Sequence, residues 1–346
     1  MILSVLDQSP VPSGSTPAEA IGHTVALAQA AERLGYRRYW LAEHHNTASL
    51  AGTAPEVLAA HVAGRTSSIR VGAGGILLPY TSPLKAAESF RVLHALFPGR
   101  IDLGVGRAAG TDEAGATALG QRPGADDADH PARLADLVGL VHGVHRVHGV
   151  QRDHGDSDTD QANGVRAMPE GDGAPEVWVL GSSSDGAGLA ARLGLRFSFA
   201  HFVTPSFGPQ TMAAYRRRFQ PSAHLRSPLA SVGVNVVCAE TDAEAEVLAL
   251  SHDVWRLRPE GAGRGPLLPP EEAAARPLTR LERVQLAQHR DRRVVGAPDR
   301  VATALASLAG AYEVDELVVL TVCHDPAARL RSYELLAGVV GPGRGS

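Results

Sequence analysis

Short apolar runs alternate with amphipathic stretches along almost the whole chain. Residues 2–6 are apolar and end in Asp7-Gln8-Ser9-Pro10. Thr16-Pro17-Ala18-Glu19 then makes a capping box with proline at the first helical position. Ile21, Val25, Ala28, Ala31 and Leu34 recur at helical spacing up to a Gly35 stop. Residues 39–42 predict strand two, and Pro55 opens a helix closing near Gly64. Strand three covers 69–72 and leads into Ala73-Gly74-Gly75. A helix runs from Ser82-Pro83 through Leu96, and strand four covers 101–105 before Gly106-Arg107. Residues 131–148 read as helical, whereas 149–175, rich in Asp, Gly and His, read as an exposed loop.

The same alternation continues in the second half. Strand five is 177–180, strand six 196–200 and strand seven 231–238, with a helix to Leu193 and another from Asp242 onward. Residues 258–277 are crowded with Gly, Pro and Arg, a long connection of the kind usually functional or mobile. Two more helices, the second opened by Pro298, lead to strand eight at 316–322 and a terminal helix ending at Gly338. Eight apolar strands separated by helices predict an α/β chain folded as a single (β/α)8 TIM barrel over 1–346, with a long insertion loop near 258–277. A doubly wound sheet is the runner-up, but its dinucleotide fingerprint is missing after strand one, where Asp7-Gln8-Ser9-Pro10 stands.

Composition narrows the class. With 44% hydrophobic and 20% charged residues, the 346-residue chain can bury a large core. A net charge of -4 gives no footprint for nucleic acid or an anionic membrane. Cys238 and Cys323 are too few for a disulfide framework or zinc cluster and read as buried small hydrophobes. The N-terminus reads as a first strand and not as a signal peptide, and no apolar run reaches the ~20 residues of a membrane helix. The expectation is a soluble protein of a reducing, cytoplasmic compartment.

In a parallel α/β protein, ligands are handled at the carboxyl ends of the strands. If the barrel forms, that face gathers Asp7, Gln8, His44, His45, Gly74, Gly75, Arg107, Ser182, Ser183, His201 and His324. Adjacent residues of an extended segment point to opposite faces. One of His44 and His45 should therefore face a ligand while the other packs or orients its neighbour, which disfavours a metal pair. His142, His145 and His148 spread around a helix and read as surface. Gly74-Gly75 suggests either a close approach to the backbone or a plain tight turn. Arg107 suits an anion, and Gly181 with Ser182, Ser183 and Ser184 before a helix makes a second anion cradle. Either could be only a cap or a surface ion pair, but their place on neighbouring strands favours one phosphate held between them.

Three ordered motifs carry a resemblance across nearly the whole chain: Trp40-Leu41-Ala42-Glu43-His44-His45, Arg70-Val71-Gly72-Ala73-Gly74-Gly75-Ile76-Leu77-Leu78-Pro79, and Pro98-Gly99-Arg100-Ile101-Asp102-Leu103-Gly104-Val105-Gly106-Arg107. The sequence resembles the luciferase-like flavin-dependent monooxygenases. Leu6-Asp7-Gln8-Ser9-Pro10 and Ser332-Tyr333-Glu334-Leu335-Leu336 look like a single-chain branch found in natural-product (secondary) metabolism. The resemblance implies reduced FMN (FMNH2) at the C-terminal face, reacting with O2 to a C4a-hydroperoxide that oxygenates a small organic substrate. It makes His44 the catalytic acid or base, Arg107, Ser182 and Ser183 the phosphate contacts, and Gly74-Gly75 a non-proline cis peptide beside the isoalloxazine. It also implies a homodimer fed by a separate NAD(P)H:flavin reductase, since no nicotinamide fingerprint is present. Alternatives on the same scaffold are a deazaflavin-dependent oxidoreductase and a non-catalytic flavin-binding subunit. The resemblance makes 258–277 a mobile lid; Gly106 stands where some luciferase chains carry a cysteine, and light emission is not implied.

Overall fold

The computed structural model describes residues 1–107, 110–120, 129–143, 165–258, 261 and 263–341. Its elements are β1 (Ile2–Asp7), α1 (Pro17–Arg33), β2 (Arg38–Leu41), α2 (Pro55–Arg65), β3 (Arg70–Leu77), α3 (Pro83–Leu96), β4 (Ile101–Gly106), α4 (Glu113–Ala118), α5 (His130–Val141), β5 (Glu176–Gly181) and α6 (Ser184–Arg192). The chain continues through β6 (Arg196–Ala200), α7 (Gly208–Arg218), β7 (Ala230–Cys238), α8 (Asp242–Arg256), α9 (Pro270–Ala275) and α10 (Arg280–Arg290). It ends with β8 (Arg293–Gly296), α11 (Pro298–Tyr312), β9 (Glu316–Leu320) and α12 (Pro326–Val340).

Strands β1 to β7 pair in parallel in chain order, and β9 closes the ring by pairing with both β7 and β1. The predicted eight-stranded barrel therefore forms, with β9 as its eighth strand. One strand was not foreseen: β8 lies parallel to the C-terminal half of β7, from Asn235 opposite Arg293 to Cys238 opposite Gly296, outside the closed ring. Strand β3 also runs past Gly72 to Leu77, with its pairing to β4 interrupted between Ala73 and Ile76.

Strand alternation sorts the core into two shells. Val5, Tyr39, Val71, Leu103, Phe197, Val232 and Leu317 face the helices. Leu6, Trp40, Trp178, Val318 and Leu320 fill the barrel interior. The capping box forms as predicted, with Glu19 N–H donating to Thr16 Oγ1 at 3.2 Å and Thr16 N–H to Glu19 Oε2 at 2.8 Å.

At the amino ends of the strands the interior is sealed by ions. Arg38 donates to Glu316 Oε1 at 2.6 Å and to Asp102 Oδ2 at 2.7 Å. Asp102 also accepts from Trp40 Nε1 at 2.9 Å and from Arg70 at 2.5 Å, and Ser4 Oγ donates to Glu316 at 2.6 Å.

Three expectations need amending. The helix expected over 131–148 ends at Val141, and His145 and His148 lie outside the described residues. His142 is not simply on the surface, since its ring stacks on that of His224 with centroids 3.3 Å apart. The described part of 258–277 is less a free lid than a strap: Leu267 N–H donates to Val11 O and Ser13 N–H to Leu267 O, and α9 follows. Both cysteines are buried and free, and burial pushes the thiol of Cys238 up to about 11 and that of Cys323 up to about 12. Among the described residues no helix is long and apolar enough to cross a membrane.

Candidate active site

Which strand-end side chains reach the barrel mouth follows from the same alternation. On β1, Leu6 points inward, Asp7 outward and Gln8 inward again. Asp7 is therefore not part of the mouth. It is buried behind the barrel, accepting from Arg329 at 2.6 Å, Ser9 N at 2.7 Å and the Tyr39 hydroxyl at 2.5 Å. Gln8 lines a cavity of about 840 Å³ that opens at the carboxyl ends of the strands.

After β2 the backbone is pinned, His44 N–H donating to Gly52 O and His45 N–H to Gly110 O, both at 2.9 Å. This sends the two histidines apart. His44 enters the cavity with its Nε2 3.5 Å from Gln8 Nε2. His45 turns away, pairs with Glu43 Oε1 at 2.8 Å and sets its ring edge against Tyr80. The other oxygen of Glu43 accepts from Leu77 N at 2.8 Å, tying the ends of β2 and β3 together.

Between those ends lies a cis peptide, Gly74–Gly75. A Cβ on Gly74 would come within 2.6 Å of Trp40 Cβ, and one on Gly75 within 2.6 Å of Gly104 O. Both positions admit only glycine, because the backbone is packed from below while forming part of the cavity wall.

On the next two strands Arg107, Ser182 and Ser183 line the same cavity. Ser183 caps α6, its hydroxyl accepting from Gly186 N at 3.3 Å, so the helix N-terminus faces this wall. A Cβ at Gly181 would meet nothing within 4 Å, and one at Gly106 nothing nearer than 3.7 Å, which leaves room beside the arginine and the serines.

All six predicted site residues, His44, Gly74, Gly75, Arg107, Ser182 and Ser183, thus border one cavity. Of the wider set, Asp7, His45, His201 and His324 do not. His201 Nδ1 meets the Tyr312 hydroxyl at 2.8 Å, and His324 Nε2 lies 3.2 Å from Ser13 Oγ. Sequence reasoning missed His252, Trp255, Arg256 and Arg264, which line the cavity from the end of α8 and the strap, and also His130, Arg192 and Arg218 on other helices. The pattern of α8 carries no signal for His252, Trp255 and Arg256, since its last turn reads as an ordinary amphipathic helix end.

Burial, helped by Arg264 and His45, holds the His44 pKa down to about 4. The imidazole is therefore neutral at neutral pH, with one nitrogen able to accept and the other to donate. His44 Nδ1 and Gln8 Oε1 are buried without a hydrogen-bond partner among the described residues. Both residues line the cavity, so a molecule bound there can complete their bonding. Leu6, Leu180 and Leu320 supply the apolar part of the lining. An arginine, two hydroxyls and a helix N-terminus at one side, glycine backbone and unpaired polar atoms at the other, fit a phosphate-bearing planar ring such as FMN.

A family model described as luciferase-like monooxygenase matches residues 1–312. The chain is 43% identical over 342 residues to YceB of Bacillus subtilis (strain 168), covering 97% of this chain and 98% of that one. It is 34% identical over 344 residues to the N-acetyl-S-alkylcysteine monooxygenase of the same organism, covering 98% of each. Among solved structures, apo-MsnO8 shares 40% identity with a TM-score of 0.85, again over 98% of each chain.

Proposed function

The chain belongs to the luciferase-like monooxygenase family, and we propose that it is the oxygenating half of a two-component system using reduced FMN. A separate NAD(P)H:flavin reductase delivers the flavin, and a small organic molecule is the substrate. The observation that supports this reading is the meeting in one cavity of Arg107, Ser182 and Ser183 with a neutral His44.

Reduced FMN, when bound, supplies the electron pair with which one atom of O2 is inserted into the substrate and the other leaves as water. The protein's own part is positioning and proton management. Arg107, Ser182 and Ser183 would hold the phosphate through charge-assisted hydrogen bonds. The glycine pair lets a flat ring approach the backbone without a side chain in the way. His44, kept unprotonated by burial, can take a proton at its free nitrogen or give one from the other, with Gln8 beside it. Leu6, Leu180 and Leu320 line the cavity and would limit water at the reacting centre. The named relative makes S-alkylated, N-acylated cysteines the first substrates to try. Two buried free thiols support a reducing, cytoplasmic setting.

The test is anaerobic titration of the protein with reduced FMN and, separately, with a reduced deazaflavin, followed by admission of O2. Preferential binding of reduced FMN with oxygen consumption is the expected result. Preference for the deazaflavin without oxygen uptake would replace this reading with hydride transfer, and indifference to both would remove it.

A further inference from the structure

The roof of the cavity holds a group of side chains that the chemistry above does not use. The last turn of α8 brings in His252 and Trp255, only 4% and 5% exposed, with ring centroids 5.6 Å apart and planes 28° from parallel. The strap then returns Arg264, whose guanidinium carbon lies 4.4 Å from the centroid of the Trp255 ring. This arrangement is anchored. Arg264 Nη2 and Nε donate to Arg258 O at 2.9 and 3.2 Å, the Thr47 hydroxyl donates to Arg264 O at 3.2 Å, and Leu267 is laced to Val11 and Ser13.

Trp255 packs with Leu6, Trp40, Trp178 and Leu320 in the barrel interior, yet its buried Nε1–H has no acceptor among the described residues. A buried donor left without an acceptor is costly, and because Trp255 lines the cavity a ligand atom can supply the missing acceptor. Basic side chains gather at this spot. Arg256 and Arg264 line the cavity, and together with Arg293 and His289 they reinforce the burial that keeps His252 uncharged. The nearby carboxylate Asp253 is engaged with Arg293 at 3.1 Å. Of the lining carboxylates, Glu43 is held by His45 and Leu77 N, and Asp185 sits in the first turn of α6. A hydrogen-bond donor and a guanidinium stacked on one aromatic face match the two oxygens of a planar oxyanion.

We propose that the substrate is a small organic carboxylate whose two oxygens dock on Trp255 Nε1–H and the Arg264 guanidinium, with the rest of the molecule extending into the barrel mouth. The assignment rests on the reading of the cavity as a flavin monooxygenase site, but it concerns the roof and not the phosphate wall.

The test is calorimetric binding of phenylacetate and of N-acetyl-S-methylcysteine, each against its methyl ester, with benzenesulfonate as a second oxyanion, with and without FMN. The wild-type protein is expected to bind at least one acid about 10-fold or more tightly than its ester. Arg264→Met should weaken acid binding about 10- to 100-fold, the scale of a lost charged hydrogen bond. Trp255→Phe, which keeps the ring and removes the N–H, should weaken it several-fold. Both variants should bind FMN within about 2-fold of wild type.

Equal binding of acids and esters by the wild-type protein, or no binding of either acid, overturns the proposal without any variant being made. Tighter binding of the sulfonate overturns the carboxylate assignment. Loss of FMN affinity in Arg264→Met comparable to the loss for the acid gives the roof to the cofactor instead. A protein that discriminates acid from ester but binds no FMN would sink the flavin reading and leave the anion site standing.

Discussion

The two ends of this barrel use similar polar side chains to opposite effect. At the floor, both oxygens of Asp102 and both of Glu316 are bonded, to Arg38, Arg70, Trp40 and Ser4. At the mouth, Gln8 Oε1, His44 Nδ1 and Trp255 Nε1 are buried and lack partners among the described residues. Burying a polar group without a partner costs free energy in either place. The floor's two carboxylates avoid that cost by saturating every oxygen with donors of the chain, whereas the mouth leaves bonding capacity that a molecule outside the chain can fill. Charge and burial are common to both ends, and saturation of the buried acceptors distinguishes them.

The largest effect should come from opening the floor. Asp102→Ala leaves Arg38 and Arg70 facing a cavity with one fewer anion, and removing one partner of a buried ion pair costs about 3–5 kcal/mol. Guanidinium denaturation should show that loss. If the variant is as stable as wild type, the floor is not the structural keystone described here.

Variants of the mouth should reverse the pattern, leaving stability within about 1 kcal/mol while function collapses. His44→Ala is expected to lower turnover under saturating reduced FMN about 10²- to 10⁴-fold, the scale of general acid–base catalysis, with flavin binding largely intact. Arg107→Ala should instead weaken FMN binding about 10- to 100-fold, as expected for one charged hydrogen-bonding contact. A folded Asp102→Ala protein that lost as much FMN affinity as Arg107→Ala would erase the distinction between the two ends.

The barrel was legible because each strand is a short apolar run followed by a helix with a recognisable start, such as Thr16-Pro17-Ala18-Glu19. Strand β8, Arg293–Gly296, was not legible: with only two apolar residues and no place in the ring, it depends on the exposed edge that β7 presents. Residues bordering the cavity could be read wherever strand ends and glycines mark them, as for His44, Gly74, Gly75 and Arg107. Whether a strand-end residue points in or out depends on register, which sent Asp7 and His45 away from the cavity although both stood at the right height. Trp255 and Arg264 were beyond reach for a different reason. Their place over the mouth is set by long-range contacts of the strap, Leu267 with Val11 and Thr47 with Arg264, that leave no periodicity in the local sequence.

The smallest effect separates the two ends by pH. Burial lowers the pKa of His44 from its ordinary 6.5 to about 4, so the folded protein keeps this ring neutral where the unfolded chain begins to protonate it. Between those two values the unfolded state binds more protons, and stability contributed by the neutral ring falls as pH drops through 6.5 toward 4. At pH 5.5 the loss from this single group is about 1 kcal/mol. The floor responds in a different window. Although burial works against its charged form, Arg38 and Arg70 hold the carboxyl of Asp102 below 3.8, so its contribution is intact across this range and fails only in stronger acid. Unfolding free energies of wild type and His44→Gln, measured from pH 7.5 to 5, should therefore diverge, with the variant losing about 1 kcal/mol less by pH 5.5. The other depressed histidines, His252 among them, occur in both proteins and cancel in the difference. Parallel curves would mean that His44 is open to water and protonates freely, and the mouth would then lack the dry, neutral base that its chemistry requires.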